Sequence, residues 1–153
     1  MTKITTGQIK KLRAKTKAGV MDCRQALKVS DGDMKKAEKW LRKKGIESAS
    51  KRARRETKQG LIEVYTHNHG KIVGIVELLC ETDFVARTNE FKKLAHELAM
   101  QVAAMNPKSV KDLLKQPWIR DEKRIIDSLV KETIGKTGEN IVVRRIARFE
   151  LGG

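Results

Sequence analysis

A chain of 153 residues can bury a hydrophobic core without disulfide or metal staples, and has room for one domain with a small appendage. It carries 34 Lys and Arg against 19 Asp and Glu, a net charge of +15, and residues 1–58 alone hold 19 basic and 6 acidic side chains. Two cysteines far apart in apolar stretches, Cys23 and Cys80, exclude a disulfide framework, and no apolar run approaches the roughly 18 residues that span a bilayer.

The basic first third would steer the chain toward an acidic partner or a polyanion such as RNA. A lysine-rich solvated helix surface carries the same charge, so charge alone names no partner. The first residues, Met1 to Thr6, lead into a helix pattern without a signal-peptide core, and the expectation is a cytoplasmic protein.

Three short helices are expected next. Thr5 followed by Gln8 forms a capping-box pattern, with Ile9 and Leu12 on one face behind it. Ala18-Gly19-Val20-Met21 reads as a tight loop presenting apolar side chains, and Asp22 as the cap of a second helix bearing Cys23, Ala26 and Leu27. Asp33 caps a third, with Ala37, Trp40 and Leu41 on its apolar face and Gly45 as its stop. Residues 46–58 form a basic, partly helical connector. A module over 1–55 and a core domain over 56–153 follow from that boundary.

Leu61 to His67 and Lys71 to Cys80 read as a hairpin turning on Asn68-His69-Gly70. The second strand is almost continuously apolar, the signature of a buried central strand. Phe91, Leu94, Ala95, Leu98, Val102 and Met105 mark one face of a helix that Asn106-Pro107 ends. Val110 to Leu114 suggests one more helical turn. Asp121 is expected to cap a helix carrying Ile125, Ile126, Leu129, Val130 and Ile134, with Gly135 as its stop. The closing strand places Ile141, Val143, Ala147, Phe149 and Leu151 on one side, with Arg145 breaking the run. The fold class is α+β: three helices, then a small antiparallel sheet with helices on one face.

Chemistry is sparse. His67 and His69 lack the third and fourth ligands that zinc demands. Gly135-Lys136-Thr137-Gly138 lacks the upstream glycine and strand of a phosphate loop and reads as a loop only. No serine or cysteine nucleophile is paired with a base, so neither an enzyme nor a bound cofactor is expected. What stands out is Thr82-Asp83-Phe84-Val85, a carboxylate beside an aromatic ring on a short connection between a strand and a helix. Such connections present groups to other molecules. An arbitrary phenylalanine there would more often fold into the core.

Four ordered segments resemble the elongation factor Ts family of guanine-nucleotide exchange factors for elongation factor Tu. They are Leu12–Leu27, Glu81–Phe91, Leu94–Ala104, and Gly138–Arg145 with Arg148–Leu151. The resemblance implies that the three helices form a ubiquitin-associated-like module, docking on the partner through Arg13, Val20 and Met21, where position 20 departs from the expected methionine. It implies that Thr82, Asp83, Phe84 and Val85 disturb the partner's Mg²⁺ site. It also implies a short form, because Pro107 is followed almost at once by a segment similar to the family's pre-terminal part. The missing portion leaves a possible homodimer. RNA contact by the basic third is a secondary expectation, weakened by the scarcity of stacking aromatics there.

Overall fold

The computed structural model describes residues 2–153. Helix α1 (Thr6–Thr16) starts at the expected capping box: Thr5 Oγ1 accepts from the Gln8 amide at 3.2 Å, while Gln8 Oε1 accepts from the Thr5 amide at 2.9 Å. Helix α2 (Val20–Val29) begins earlier than its sequence suggested, because Gly19 takes the cap position and Val20 and Met21 enter the first turn. Asp22 is therefore inside the helix, where it favours the positive end of the dipole and meets Lys44 at 2.6 Å. Leu12, Cys23, Ala26, Leu27, Ala37 and Leu41 close a first small core, with Trp40 partly buried against it.

Helix α3 (Met34–Arg52) is capped by Asp33 as expected, but it does not stop at Gly45. It runs on for seven residues and delivers Ala49 to a second, larger core. The reason is tertiary. Gly45 faces Gly135 of helix α7 (Ile126–Thr137), and both glycines serve close helix packing rather than termination. Helix α7 likewise passes Gly135 and ends at Gly138, which has φ +75°. Lys136 and Thr137 therefore belong to a helix, not to a loop.

Strands β1 (Gln59–His67), β2 (Ile72–Cys80) and β5 (Ile141–Glu150) form an antiparallel sheet in the order β1-β2-β5. The hairpin turns through Asn68, His69 and Gly70, all with positive φ. Helix α5 (Asn89–Met105) is capped by Thr88 and lies across the inner face of the sheet; Gly74 leaves room for its backbone at Ala99 and Ala103. Phe91, Leu94, Leu98 and Val102 meet Val76, Leu78 and Cys80 in the larger core. Helix α6 (Val110–Lys115) leads into a ribbon of β3 (Pro117–Trp118) and β4 (Asp121–Ile125). Asp121 thus opens a strand, and α7 starts behind Ile125 without a side-chain cap. Buried Gln101 holds the ribbon by donating to Pro117 O at 3.0 Å and accepting from the Ile119 amide at 3.0 Å.

The last strand departs from simple alternation. Leu78 pairs with Val143 but Glu77 with Arg145, so Arg144 is an extra residue. The bulge exchanges the two faces. Ile141 and Val143 remain in the core, Ile146 takes the next inward place, and Ala147 and Phe149 turn outward.

The glycine contact generates a prediction. A Cβ added at Gly135 would stand 2.6 Å from Gly45 Cα, whereas one at Gly45 finds its nearest atom at 3.5 Å. Gly135→Ala should destabilise the protein by about 1–3 kcal/mol as the helices are forced apart. Gly45→Ala should be neutral or stabilise by up to about 1 kcal/mol, because alanine is the better helix former. Urea midpoints of the two variants check this, and equal effects would contradict the contact.

Candidate functional site

Between β2 and α5 the chain makes one short helix, α4 (Asp83–Ala86), with Thr82 as its cap; Thr82 Oγ1 accepts from the Val85 amide at 3.3 Å. Successive helical residues are about 100° apart, so four residues cannot share one environment. Val85 and Ala86 are turned into the core. Asp83 and Phe84 therefore face solvent, and Phe84 is 78% exposed. That exposure is unusual for the most apolar ring on the segment, and it separates Phe84 from Phe91, which is fully buried. Asp83 carries only a loose pair with Arg87 at 3.3 Å, with both groups mostly in solvent. Such a pair contributes little and is readily exchanged for another partner.

The structure thus brings Thr82, Asp83 and Phe84 together at one projecting corner and places Val85 beneath them as the anchor. Arg13, Val20 and Met21 lie elsewhere, at the corner between α1 and α2. All three are exposed, Met21 at 70% and Val20 at 46%. The two corners are joined through α3, which contributes Ala37 and Leu41 to the small core and Ala49 to the large one.

The residues that hold the α4 corner were not singled out from sequence. Glu139 accepts from the Thr82 amide at 2.9 Å and from the Thr82 hydroxyl at 2.7 Å. Glu81 accepts from the Asn140 amide at 2.8 Å, and the Asn140 side chain donates to Arg55 O at 2.9 Å and Ala53 O at 3.4 Å. Cys80 Sγ donates to Thr82 O at 3.1 Å. A polar pair directly after a helix-ending glycine was the available signal, but its long-range partners are set by sheet register.

Among the described residues no three His, Cys, Asp or Glu side chains cluster as a metal site, and no helix is long and apolar enough to cross a membrane. His67 lies against Tyr65, with Nδ1 3.2 Å from the hydroxyl, and His96 meets the edge of the same ring. A cleft of about 320 Å³ lies between the α1–α2 corner, α3 and α7. Three of its cations face carboxylates: Lys15 meets Glu38, Lys44 meets Asp22 and Arg42 meets Glu132.

Burial, reinforced by the nearby Glu139 carboxylate, pushes the Cys80 thiol up to about 11. The thiol is then protonated and able to donate to Thr82 O at neutral pH. At pH 8 its thiolate fraction falls about 100-fold below that of an ordinary cysteine. Iodoacetamide should therefore leave Cys80 unmodified in the folded protein and label it in urea, as peptide mass spectrometry would show. Native labelling at the rate of a free thiol would contradict the burial.

The family described as Elongation factor TS matches residues 81–153, a span that contains α4 together with Glu81, Glu139 and Asn140. Elongation factor Ts of Oleidesulfovibrio alaskensis is 42% identical over 197 aligned positions, covering 99% of this chain and 100% of the relative. The Elongation factor Ts proteins of Rippkaea orientalis and Herpetosiphon aurantiacus are each 40% identical, covering 99% and 97% of this chain and 80% and 98% of theirs. These alignments run over more positions than the chain has residues, so the relatives carry segments with no counterpart here.

Proposed function

This chain belongs to the elongation factor Ts family of translation elongation factors, and from that membership we propose that it promotes GDP release from elongation factor Tu in the cytoplasm. No covalent bond is made or broken in this reaction. The factor binds nucleotide-free partner more tightly than GDP-bound partner, and linkage makes the nucleotide expel the factor by the same coupling. A full reversal of populations requires about 5.5 kcal/mol of differential affinity. Burying one phenyl ring contributes about 1.5–3 kcal/mol, so Phe84 acts within a distributed interface.

The observation that supports this reading is the outward seating of Phe84 on a helix whose other apolar residues are buried. In the proposed mechanism its ring enters the partner beside the nucleotide site, where it has area to bury that its own subunit leaves uncovered. Asp83 exchanges its weak pair with Arg87 for the hydrogen-bonded shell around the partner's Mg²⁺, a shell whose alteration commonly changes metal affinity 10–100-fold. Thr82 caps the helix that carries both groups, and Val85 anchors it from within. Arg13, Val20 and Met21 dock the amino-terminal module on the partner's nucleotide-binding domain.

Phe84→Ala should slow stimulated release of fluorescent GDP about 10–100-fold while leaving the thermal unfolding midpoint unchanged, since the ring packs little against its own subunit. Unaltered stimulation by that variant would remove the proposed role.

The sheet favours a second statement, that the functional unit is a homodimer. Strand β2 is apolar on both faces, yet among the described residues helices cover only one. On the other face Val64, Ile75 and Ala147 form one cross-strand row, and Val73 and Phe149 are neighbours in the next. Glu77 lies among them; burial would raise its carboxyl, but hydrogen bonds and charge from Arg145 and Arg144 outweigh that and hold it below the usual range. Such a face, apolar around one carboxylate held by two arginines, suits its own copy across a two-fold axis. It also suits a chain shorter than its relatives. Light scattering should give twice the chain mass at micromolar concentration, and Val64→Lys with Phe149→Lys should halve it. A monomeric parent protein would contradict the dimer.

A further inference from the structure

We propose that Glu139 and Asn140, the two residues leading into β5, are positioning residues for nucleotide exchange. They aim Phe84 and tie it to the end of the helix that carries the docking module. The proposal rests on the functional reading above and extends it to groups that never touch the partner's nucleotide.

Both Glu139 carboxylate oxygens are engaged by one residue. Oε1 takes the Thr82 amide at 2.9 Å and Oε2 takes the Thr82 hydroxyl proton at 2.7 Å. With its proton committed to Glu139, the Thr82 hydroxyl has its lone pair directed to the Val85 amide at 3.3 Å, which is the cap of α4. Glu139 therefore decides the rotor that starts the helix bearing Phe84. A helix of four residues has too few internal hydrogen bonds to define its own axis, so its direction is set by its cap and by its two buried residues.

Asn140 supplies the second half. Its amide donates to Glu81 Oε1 at 2.8 Å, so residues 81–82 and 139–140 cross through reciprocal backbone-to-carboxylate bonds. Its side chain is almost fully buried and donates to the carbonyls of Ala53 and Arg55, just past the end of α3. Arg55 returns to Glu81 at 3.7 Å. One clasp thus joins the turn before Phe84, the start of β5 and the end of α3. The other end of α3 belongs to the small core beneath Val20 and Met21. Docking at the amino-terminal corner and insertion of the ring are consequently referred to one rigid frame.

The test measures stimulated release of fluorescent GDP from elongation factor Tu as a function of factor concentration, with four full-length proteins: parent, Glu139→Ala, Phe84→Ala and the double variant. Removing a charge-assisted pair of hydrogen bonds should lower the maximal rate about tenfold. The half-saturating concentration should stay within about twofold, because the docking residues are untouched. In the Phe84→Ala background, Glu139→Ala should cost no more than about twofold, since no ring remains to be aimed. Glu139→Gln keeps one acceptor oxygen and should recover part of the lost rate. Equal losses in both backgrounds, or a loss confined to the half-saturating concentration, would overturn the positioning role and indicate general destabilisation. An unchanged maximal rate for Glu139→Ala alongside a slowed Phe84→Ala would overturn this inference and spare the functional reading. Unchanged rates for Phe84→Ala itself would overturn the functional reading and this inference with it.

Discussion

The seating of Val85 and Ala86 in the large core governs everything the α4 corner can do. These two side chains join a cluster that includes Phe91, Leu98 and Cys80, and no rotation of a one-turn helix could bury them and Phe84 together. Exposure of the ring is thus enforced from below by packing. A solvent-facing phenylalanine is costly for a protein that remains alone, since its area stays in water and contributes nothing to its own stability. The arrangement makes physical sense for a chain whose ring is buried in a complex.

Aiming and anchoring are divided between separate parts of the sequence. The buried pair fixes the depth of α4, and the Glu139 and Asn140 hydrogen bonds fix its direction. The third contributor is α3, which crosses α7 where two glycines meet and passes from one core into the other without a break. A flexible connector between the helical module and the sheet would let each engage a partner independently. A continuous helix whose following residues are bonded by Asn140 holds the two cores in one frame.

Much of this was legible in the residues, and the exceptions have a common cause. Caps at Thr5 and Asp33, the hairpin turn at Asn68–Gly70, and the apolar face of α5 up to Val102 depend on neighbours within four positions, and they appear as read. Gly45 and Gly135 were read as stops because local propensity favours that meaning; a glycine chosen for helix contact carries the same letter, and only its distant partner distinguishes the two uses. Asp121 looks like a cap, yet its segment pairs with Pro117–Trp118 as a ribbon. The bulge at Arg144 reversed the expected facing of Ala147 and Phe149, since an inserted residue in a period-two pattern is visible only once the partner strand is known. At the candidate site, Thr82, Asp83 and Phe84 were singled out through their motif, whereas Glu139 and Asn140 form hydrogen bonds across more than fifty residues and left no periodic trace.

The account turns on whether the Phe84 ring passes from water into the partner. The chain has three phenylalanines, of which Phe91 is fully buried while Phe84 and Phe149 are exposed, so 4-fluorophenylalanine labelling gives three fluorine resonances that single substitutions can assign. A soluble gadolinium chelate broadens only the rings that meet solvent. The account predicts that the Phe84 resonance is broadened in the free protein and protected once nucleotide-free elongation factor Tu is bound. A Phe84 resonance as exposed to the chelate in the complex as in the free chain would contradict it.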